Sequence, residues 1–175
     1  MKKIIALLLC LLLCIFCFAA CEEKKDNGEA DNDKGGESSA ATVDFSVTYN
    51  SVKIAIGADA KGVISALGAA KSTSDAGNCG GQGTLTKYVY ASVEIFVLTN
   101  SAGAETIDQI TLLDDTVKTD KGISIGSSKD DVTKAYGKGF TQSGENGMIY
   151  SSGSKNLKFT LRDGNVVGVD YMVVS

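Results

Sequence analysis

The chain has no histidine and no proline, and each absence narrows what it can do. Without histidine, a cysteine nucleophile lacks its commonest general base and a zinc site lacks a preferred ligand. Without proline, the 20 glycines must form most of the tight turns. Lysine and arginine are not clustered as phosphate binding requires, so we expect no nucleic-acid binding.

The first 21 residues have the form of a secretory signal that ends at a cysteine. Met1-Lys2-Lys3 supplies positive charge, residues 4–18 are apolar, and Phe18-Ala19-Ala20-Cys21 places small residues before the cysteine. This pattern resembles the lipobox of bacterial lipoproteins, with Phe18 where leucine is usual. The resemblance implies that the thiol of Cys21 is alkylated by a diacylglyceryl group and that the signal, residues 1–20, is removed.

Lipidation of Cys21 predicts a protein held on the extracytoplasmic face of the cell membrane. Two acyl chains anchor a protein stably, at about 0.8 kcal/mol per buried CH₂ group, whereas a single chain does so only marginally. Two other interpretations stay open. The signal peptide is cut at another position, or residues 4–20 form an uncleaved helix at the short limit for spanning a membrane.

The segment after Cys21 is acidic and lacks large apolar side chains. Residues 22–44 contain eight acidic and three basic residues, whereas residues 45–175 contain 13 and 12. Such a composition cannot offset the entropy of ordering, so residues 21–43 are predicted to be a lipidated, disordered tether. The alternative is that the acidic run binds cations or a basic partner.

The rest of the chain contains an internal match. Ile54-Ala55-Ile56-Gly57 aligns with Ile123-Ser124-Ile125-Gly126 at an offset of 69, and further apolar matches follow in the same order. We interpret this order as a tandem duplication, with a first repeat at 44–118 and a second at 119–175 in one globular domain.

Each repeat is predicted to hold one short helix and several strands. Asp59 and Ser128 are the expected helix caps, and Gly68 and Gly137 the expected ends. The predicted strands cover residues 88–90, 93–98, 107–113, 148–150, 157–162 and 166–174. The predicted fold class is therefore α+β, a tandem repeat of a short helix plus antiparallel strands, with the helices on one face of the sheet.

The repeated Ile-x-Ile-Gly, cap, short helix and closing glycine resemble the repeat of the β-lactamase inhibitory protein. They are more loosely similar to small outer-membrane-assembly lipoproteins. The resemblance implies that the second face of the sheet is open to a protein partner. It departs in one respect, because the inhibitor's repeats contain disulfides and the domain after Cys21 has only Cys79.

Cys79 and several aspartates are the candidates for chemistry. Cys79 lies in a glycine-dense segment and has no second cysteine at CxxC spacing, which leaves a reactive thiol, an intermolecular bridge or an unused thiol. Asp114-Asp115, Asp120 and Asp130-Asp131 do not match a calcium-loop spacing. We therefore predict no metal and no cofactor. A redox or hydrolytic accessory enzyme that uses Cys79 or the acidic pairs is the alternative function.

The favoured function is a lipid-anchored binding module that engages a protein or an envelope component through its sheet face or loops. Tyr88, Tyr90, Tyr150 and Tyr171 are the predicted contact residues, because tyrosine combines apolar area with a polar tip. Their alternative role is to fill the core.

Overall fold

The computed structural model describes residues 45–77 and 83–174. The predicted signal, the lipid site at Cys21, the tether and Cys79 lie outside these residues. The described part contains ten strands and two helices. In chain order they are β1 (Ser46–Tyr49), β2 (Val52–Ala55), α1 (Ala60–Leu67), β3 (Ser72–Asp75), β4 (Thr84–Val89), β5 (Val93–Thr99), β6 (Glu105–Leu112), α2 (Lys129–Tyr136), β7 (Thr141–Ser143), β8 (Gly147–Ser152), β9 (Lys155–Arg162) and β10 (Asn165–Val173).

Eight of the strands form one antiparallel sheet in the order β3-β4-β5-β6-β10-β9-β8-β7. Four consecutive strands form each half, and β6 pairs with β10 at the centre. The remaining two strands, β1 and β2, form a separate antiparallel hairpin. The edges of the large sheet are β3 and β7, which are short and polar.

One face of the sheet carries the hydrophobic core. Alternate side chains are buried there along five neighbouring strands of the sheet, β5, β6, β10, β9 and β8. They are Val93, Ile95, Val97, Ile107, Ile110, Leu112, Val166, Val169, Tyr171, Leu157, Phe159, Leu161, Met148 and Tyr150. The β1–β2 hairpin covers the same side, since the ring of Phe45 packs edge-on against Tyr171 at 6.3 Å. Both helices add apolar side chains to this cluster, including Val63 from α1 and Val132 from α2.

Two Ile-Gly turns fix the starts of the helices against the sheet. The backbone N–H of Gly57 donates to the carbonyl oxygen of Ile107 at 2.7 Å, and that of Gly126 donates to Val166 at 2.8 Å. Both glycines have positive φ, +76° and +91°, a conformation that favours glycine. The matched sequence segments therefore make equivalent contacts with β6 and β10.

The predicted α+β fold class, built of repeated helix–strand units, is wrong. Each helix has only eight residues, whereas ten strands make up most of the ordered structure. The protein is β-rich and mostly antiparallel. A capping residue and a closing glycine mark where a helix begins and ends, but they do not reveal how much of the fold is helical.

Several local predictions are confirmed. Asp59 and Ser128 cap the two helices, and Gly68 and Gly137 end them. Asp163-Gly164, a dipeptide whose sequence favours a tight turn, joins β9 to β10 with positive φ at both residues (+52° and +78°). The edge strands β3 and β7 were not predicted, because their polar sequences carry no apolar alternation.

Candidate functional site

The second face of the eight-stranded sheet is the candidate site, and we call it the open face. It consists of the side chains that alternate with the core residues along each strand. Its central row crosses six strands, and strand pairing places its members side by side. In the order β4, β5, β6, β10, β9 and β8, these residues are Val89, Glu94, Thr111, Asp170, Lys158 and Ile149.

Apolar side chains lie on the open face on both sides of the central row. Leu85, Phe96, Leu98 and Met172 are only half-buried, and they are not among the side chains that pack against the core cluster. Leu113, the residue after the last core position of β6, is 41% exposed. Their uncovered area gives the open face apolar surface that a partner could bury.

Polar side chains in the centre of the face are held in position by hydrogen bonds and an ion pair. The hydroxyl of Thr111 donates to Asp170 Oδ1 at 2.8 Å, and Gln109 Nε2 donates to the same hydroxyl oxygen at 3.2 Å. Lys87 Nζ lies 3.6 Å from Glu94 Oε1. The face is therefore a polar centre with apolar flanks, and its polar groups are already oriented.

The tyrosines predicted to contact a partner do not lie on this face, and three of them are in the core. Tyr90, Tyr150 and Tyr171 are 5%, 6% and 0% exposed, and burial raises the pKa of all three phenols. Tyr88 is half-buried, pairs with Ile95 on the core side and packs against the cluster. Their predicted contact role is corrected to a core role, because strand alternation points them towards the helices and the hairpin.

Three of the candidate acidic residues, Asp114, Asp120 and Asp131, have local structural partners. Asp114 accepts hydrogen bonds from the backbone N–H and hydroxyl of Thr116, which lower the pKa of its carboxyl group. Asp131 accepts from Ser128 in the helix cap, with the same effect on its pKa. Asp120 accepts from the phenol of Tyr136 at 2.7 Å. Within residues 45–77 and 83–174, no group of three acidic, histidine or cysteine side chains could hold a metal ion.

A pocket of about 380 Å³ lies beside β1. It is lined by Ser46, Val47, Thr48, Thr116, Lys118, Thr119 and Asp120. Two of its hydroxyl residues are already engaged, since Thr119 Oγ1 accepts from the N–H of Ile123 at 3.0 Å and Thr116 donates to Asp114. Nothing in the described residues indicates an enzymatic activity.

Sequence reasoning missed the apolar residues of the open face, although a signal for them exists. In β5 the sequence Val93-Glu94-Ile95-Phe96-Val97-Leu98 has apolar residues in both alternating sets. One set forms the core, so the other, Phe96 and Leu98, must lie on the opposite face.

No helix among the described residues is long and apolar enough to cross a membrane.

Comparisons with protein-family models, with curated proteins and with solved structures find no match to this chain.

Proposed function

We propose that this protein is a lipid-anchored binding module that acts on the extracytoplasmic side of the cell membrane and engages a protein through the open face of its sheet. One observation carries the binding role. The open face has half-buried Phe96, Leu98 and Met172 that do not pack against the core cluster. Uncovered apolar area beside polar groups that are already oriented is typical of a surface that binds another protein.

The charge pattern of the open face supports a protein partner over a nucleic acid or a polyanion. Its charged side chains have both signs, with Lys87 and Lys158 beside Glu94 and Asp170. A polyanion would be repelled by the two carboxylates, whereas a protein surface can offer a partner for each charge.

The anchor is supported by the sequence around Cys21. The lipobox places the lipid at the N-terminal end of the acidic segment, so the domain that begins near Phe45 is joined to the membrane through about 24 residues. A flexible chain of this length spans about 25–30 Å on average. That distance leaves the open face accessible to partners near the membrane surface.

Site-specific photocrosslinking in living cells tests the binding role on the full chain. Phe96 is replaced by a photoreactive phenylalanine analogue, and the matched control carries the same analogue at exposed Ala66 on α1. We expect covalent products of defined mass from position 96 and none from position 66. Position 96 without any product would contradict the proposed function.

Metabolic labelling with a clickable fatty acid tests the anchor separately. The label should be lost in the variant Cys21→Ala and retained in Cys17→Ala, which removes a cysteine from the signal that is discarded. Equal labelling of both variants would show that Cys21 is not the lipid site.

A further inference from the structure

We propose that the partner of the open face is a second copy of this chain. The two sheets then pack face to face around a twofold axis that runs parallel to the strands, above the β6–β10 pair. This inference rests on the proposed binding function and names its partner. Such a dimer has the same surface on both subunits, so the face must be complementary to itself.

The strand order determines which residues meet in this arrangement. Because β6 and β10 are the central pair of eight strands, rotation about the axis places β5 of one copy over β9 of the other. It places β4 over β8 in the same way. The direction of every strand is kept, so residues of the central row meet other residues of the central row.

The charges of the central row complement one another under this rotation. Glu94 on β5 lies over Lys158 of the second copy on β9, and the symmetry repeats the pair. Thr111 on β6 lies over Asp170 of the second copy. The carboxylate of Glu94 thus gains a cation in the second copy, as electrostatically complementary interfaces require. Asp170 keeps the hydroxyl donor that Thr111 supplies within its own copy.

Two apolar or small pairs also fit this rotation, whereas Phe96 lies over Asn156 and Met172 over Gln109 of the second copy. Val89 on β4 lies over Ile149 of the second copy on β8. Leu112 pairs with Val169 in the antiparallel β6–β10 pair, so Leu113 and Gly168 lie side by side in the next row. Leu113 is 41% exposed. The rotation therefore places the exposed side chain of Leu113 over a residue that has no side chain.

The charges disfavour the other in-plane twofold axis, which runs across the strands. Rotation about that axis would bring Glu94 onto Glu94 and Lys158 onto Lys158 of the second copy. Juxtaposed like charges cost several kcal/mol in an interface. The pattern of the central row thus selects the axis parallel to the strands.

The geometry and the area are adequate for a stable dimer. Packed sheets cross at about 30°. At a strand spacing of about 4.8 Å, Glu94 lies about 7 Å from the axis. The crossing angle therefore shifts Lys158 of the second copy by about 4 Å relative to Glu94. Long glutamate and lysine side chains span that displacement. Eight strands about six residues long present about 800 Å² per copy, or about 1,600 Å² in total, which is the size of a standard interface.

The same symmetry suits two chains anchored in one membrane. An axis parallel to the strands leaves Phe45 at the same height along the axis in both copies. Both N-terminal segments can therefore lead to the same bilayer when the axis is perpendicular to it.

Co-purification of two differently tagged full-length copies from detergent extracts tests the dimer. Wild-type copies should co-purify with each other. In a pair of Glu94→Lys copies, lysine faces lysine at both sites, and in a pair of Lys158→Glu copies, glutamate faces glutamate. We expect each of these pairs to be recovered at least about tenfold less than the wild-type pair.

The recovery of the mixed pair is the decisive measurement. When a Glu94→Lys copy meets a Lys158→Glu copy, both interface sites again hold one lysine and one glutamate. Recovery should return to within about threefold of wild type, which also shows that both variants fold. Two control variants reverse charges away from the open face: Lys61→Glu on α1 and Glu145→Lys in the β7–β8 turn. Both should leave the recovery unchanged.

The outcomes separate this inference from the proposed function. If wild-type copies do not co-purify, or if the mixed pair is as weak as the single-variant pairs, the dimer is wrong. If position 96 then crosslinks to a different protein, the binding function stands with another partner. If position 96 crosslinks to nothing, both proposals fail.

Discussion

The phenol of Tyr150 donates a hydrogen bond to the carbonyl oxygen of Gly137 across 2.7 Å, which ties strand β8 to the end of helix α2. Tyr90 makes the equivalent bond to Gly68 at the end of α1, but at 3.4 Å. The last carbonyl groups of a helix have no partner within the helix, so these two core tyrosines supply one from the sheet.

Removal of these hydroxyl groups should destabilise the domain to different degrees. Tyr150→Phe keeps the ring but leaves the Gly137 carbonyl without its donor, and we expect a loss of about 1 kcal/mol of unfolding free energy. Tyr90→Phe should cost less, because its bond is longer. Urea denaturation of both variants measures the difference, and an equal or larger loss for Tyr90→Phe would contradict the ranking.

The cap of α2 should matter more than the cap of α1. Ser128 and Asp131 exchange bonds with each other's backbone N–H groups at 3.1 Å, whereas Asp59 accepts from Gly62 only at 3.4 Å. We expect Ser128→Ala to lower the unfolding free energy by about 1 kcal/mol and Asp59→Ala to lower it less. Thermal unfolding of the two variants in parallel gives the comparison.

The Ser128 variant should also change the response to acid. The hydrogen bonds from Ser128 lower the pKa of Asp131 below its usual 3.8. A lowered folded-state pKa contributes stability that is present above pH 3.8 and is lost as the pH falls through the folded value. Wild type should therefore lose stability below pH 4 more steeply than Ser128→Ala. Parallel pH profiles of the two proteins would argue against this coupling.

Ionisation of Asp108 should destabilise the fold, in contrast to that of Asp131. Asp108 occupies a bulge in β6, and burial raises the pKa of its carboxyl group above 3.8. The unfolded chain then releases the proton more readily, so ionisation lowers stability as the pH rises through the folded pKa. We expect Asp108→Asn to raise the unfolding free energy at pH 7 by up to about 0.5 kcal/mol. The gain should vanish near pH 3, and Asp75→Asn on the exposed edge strand serves as the control.

Gly147 should tolerate no side chain. A Cβ atom there would lie 2.3 Å from the carbonyl oxygen of Ser143, so the β7–β8 hairpin would have to open. We expect Gly147→Ala to cost about 1–3 kcal/mol. Gly139→Ala is the matched control, since no atom lies within 4 Å of its Cβ position. Chemical denaturation that gives equal stabilities for the two variants would contradict the steric reason.

Much of the local structure could be predicted from short sequence signals. Ser128 and Asp131 interact across three residues, and Asp163-Gly164 forms its turn with its own neighbours, so these features depend little on the rest of the fold. The edge strands β3 and β7 could not be predicted, because they form only by pairing with β4 and β8. Their own sequences are polar and carry no alternation.

The candidate site could be predicted even less. The tyrosines were assigned to a partner because of their residue type, but the orientation of a strand decides which face each side chain occupies. Tyr90, Tyr150 and Tyr171 lie in phase with the core residues of their strands. Phe96 and Met172 lie out of phase, and only the pairing of β5, β6 and β10 shows that they share one surface.

The sequence by itself predicted a lipidation signal that ends at Cys21. It also determined the two helix caps and the turn between β9 and β10, because each depends on a few adjacent residues. Only the tertiary structure decided that the fold is a β-rich sheet with one open face. It also decided that Glu94 and Lys158 lie in one row on opposite sides of the central strand pair. Such relationships arise from pairing between residues far apart in the chain, and no local pattern encodes which partner a strand will meet.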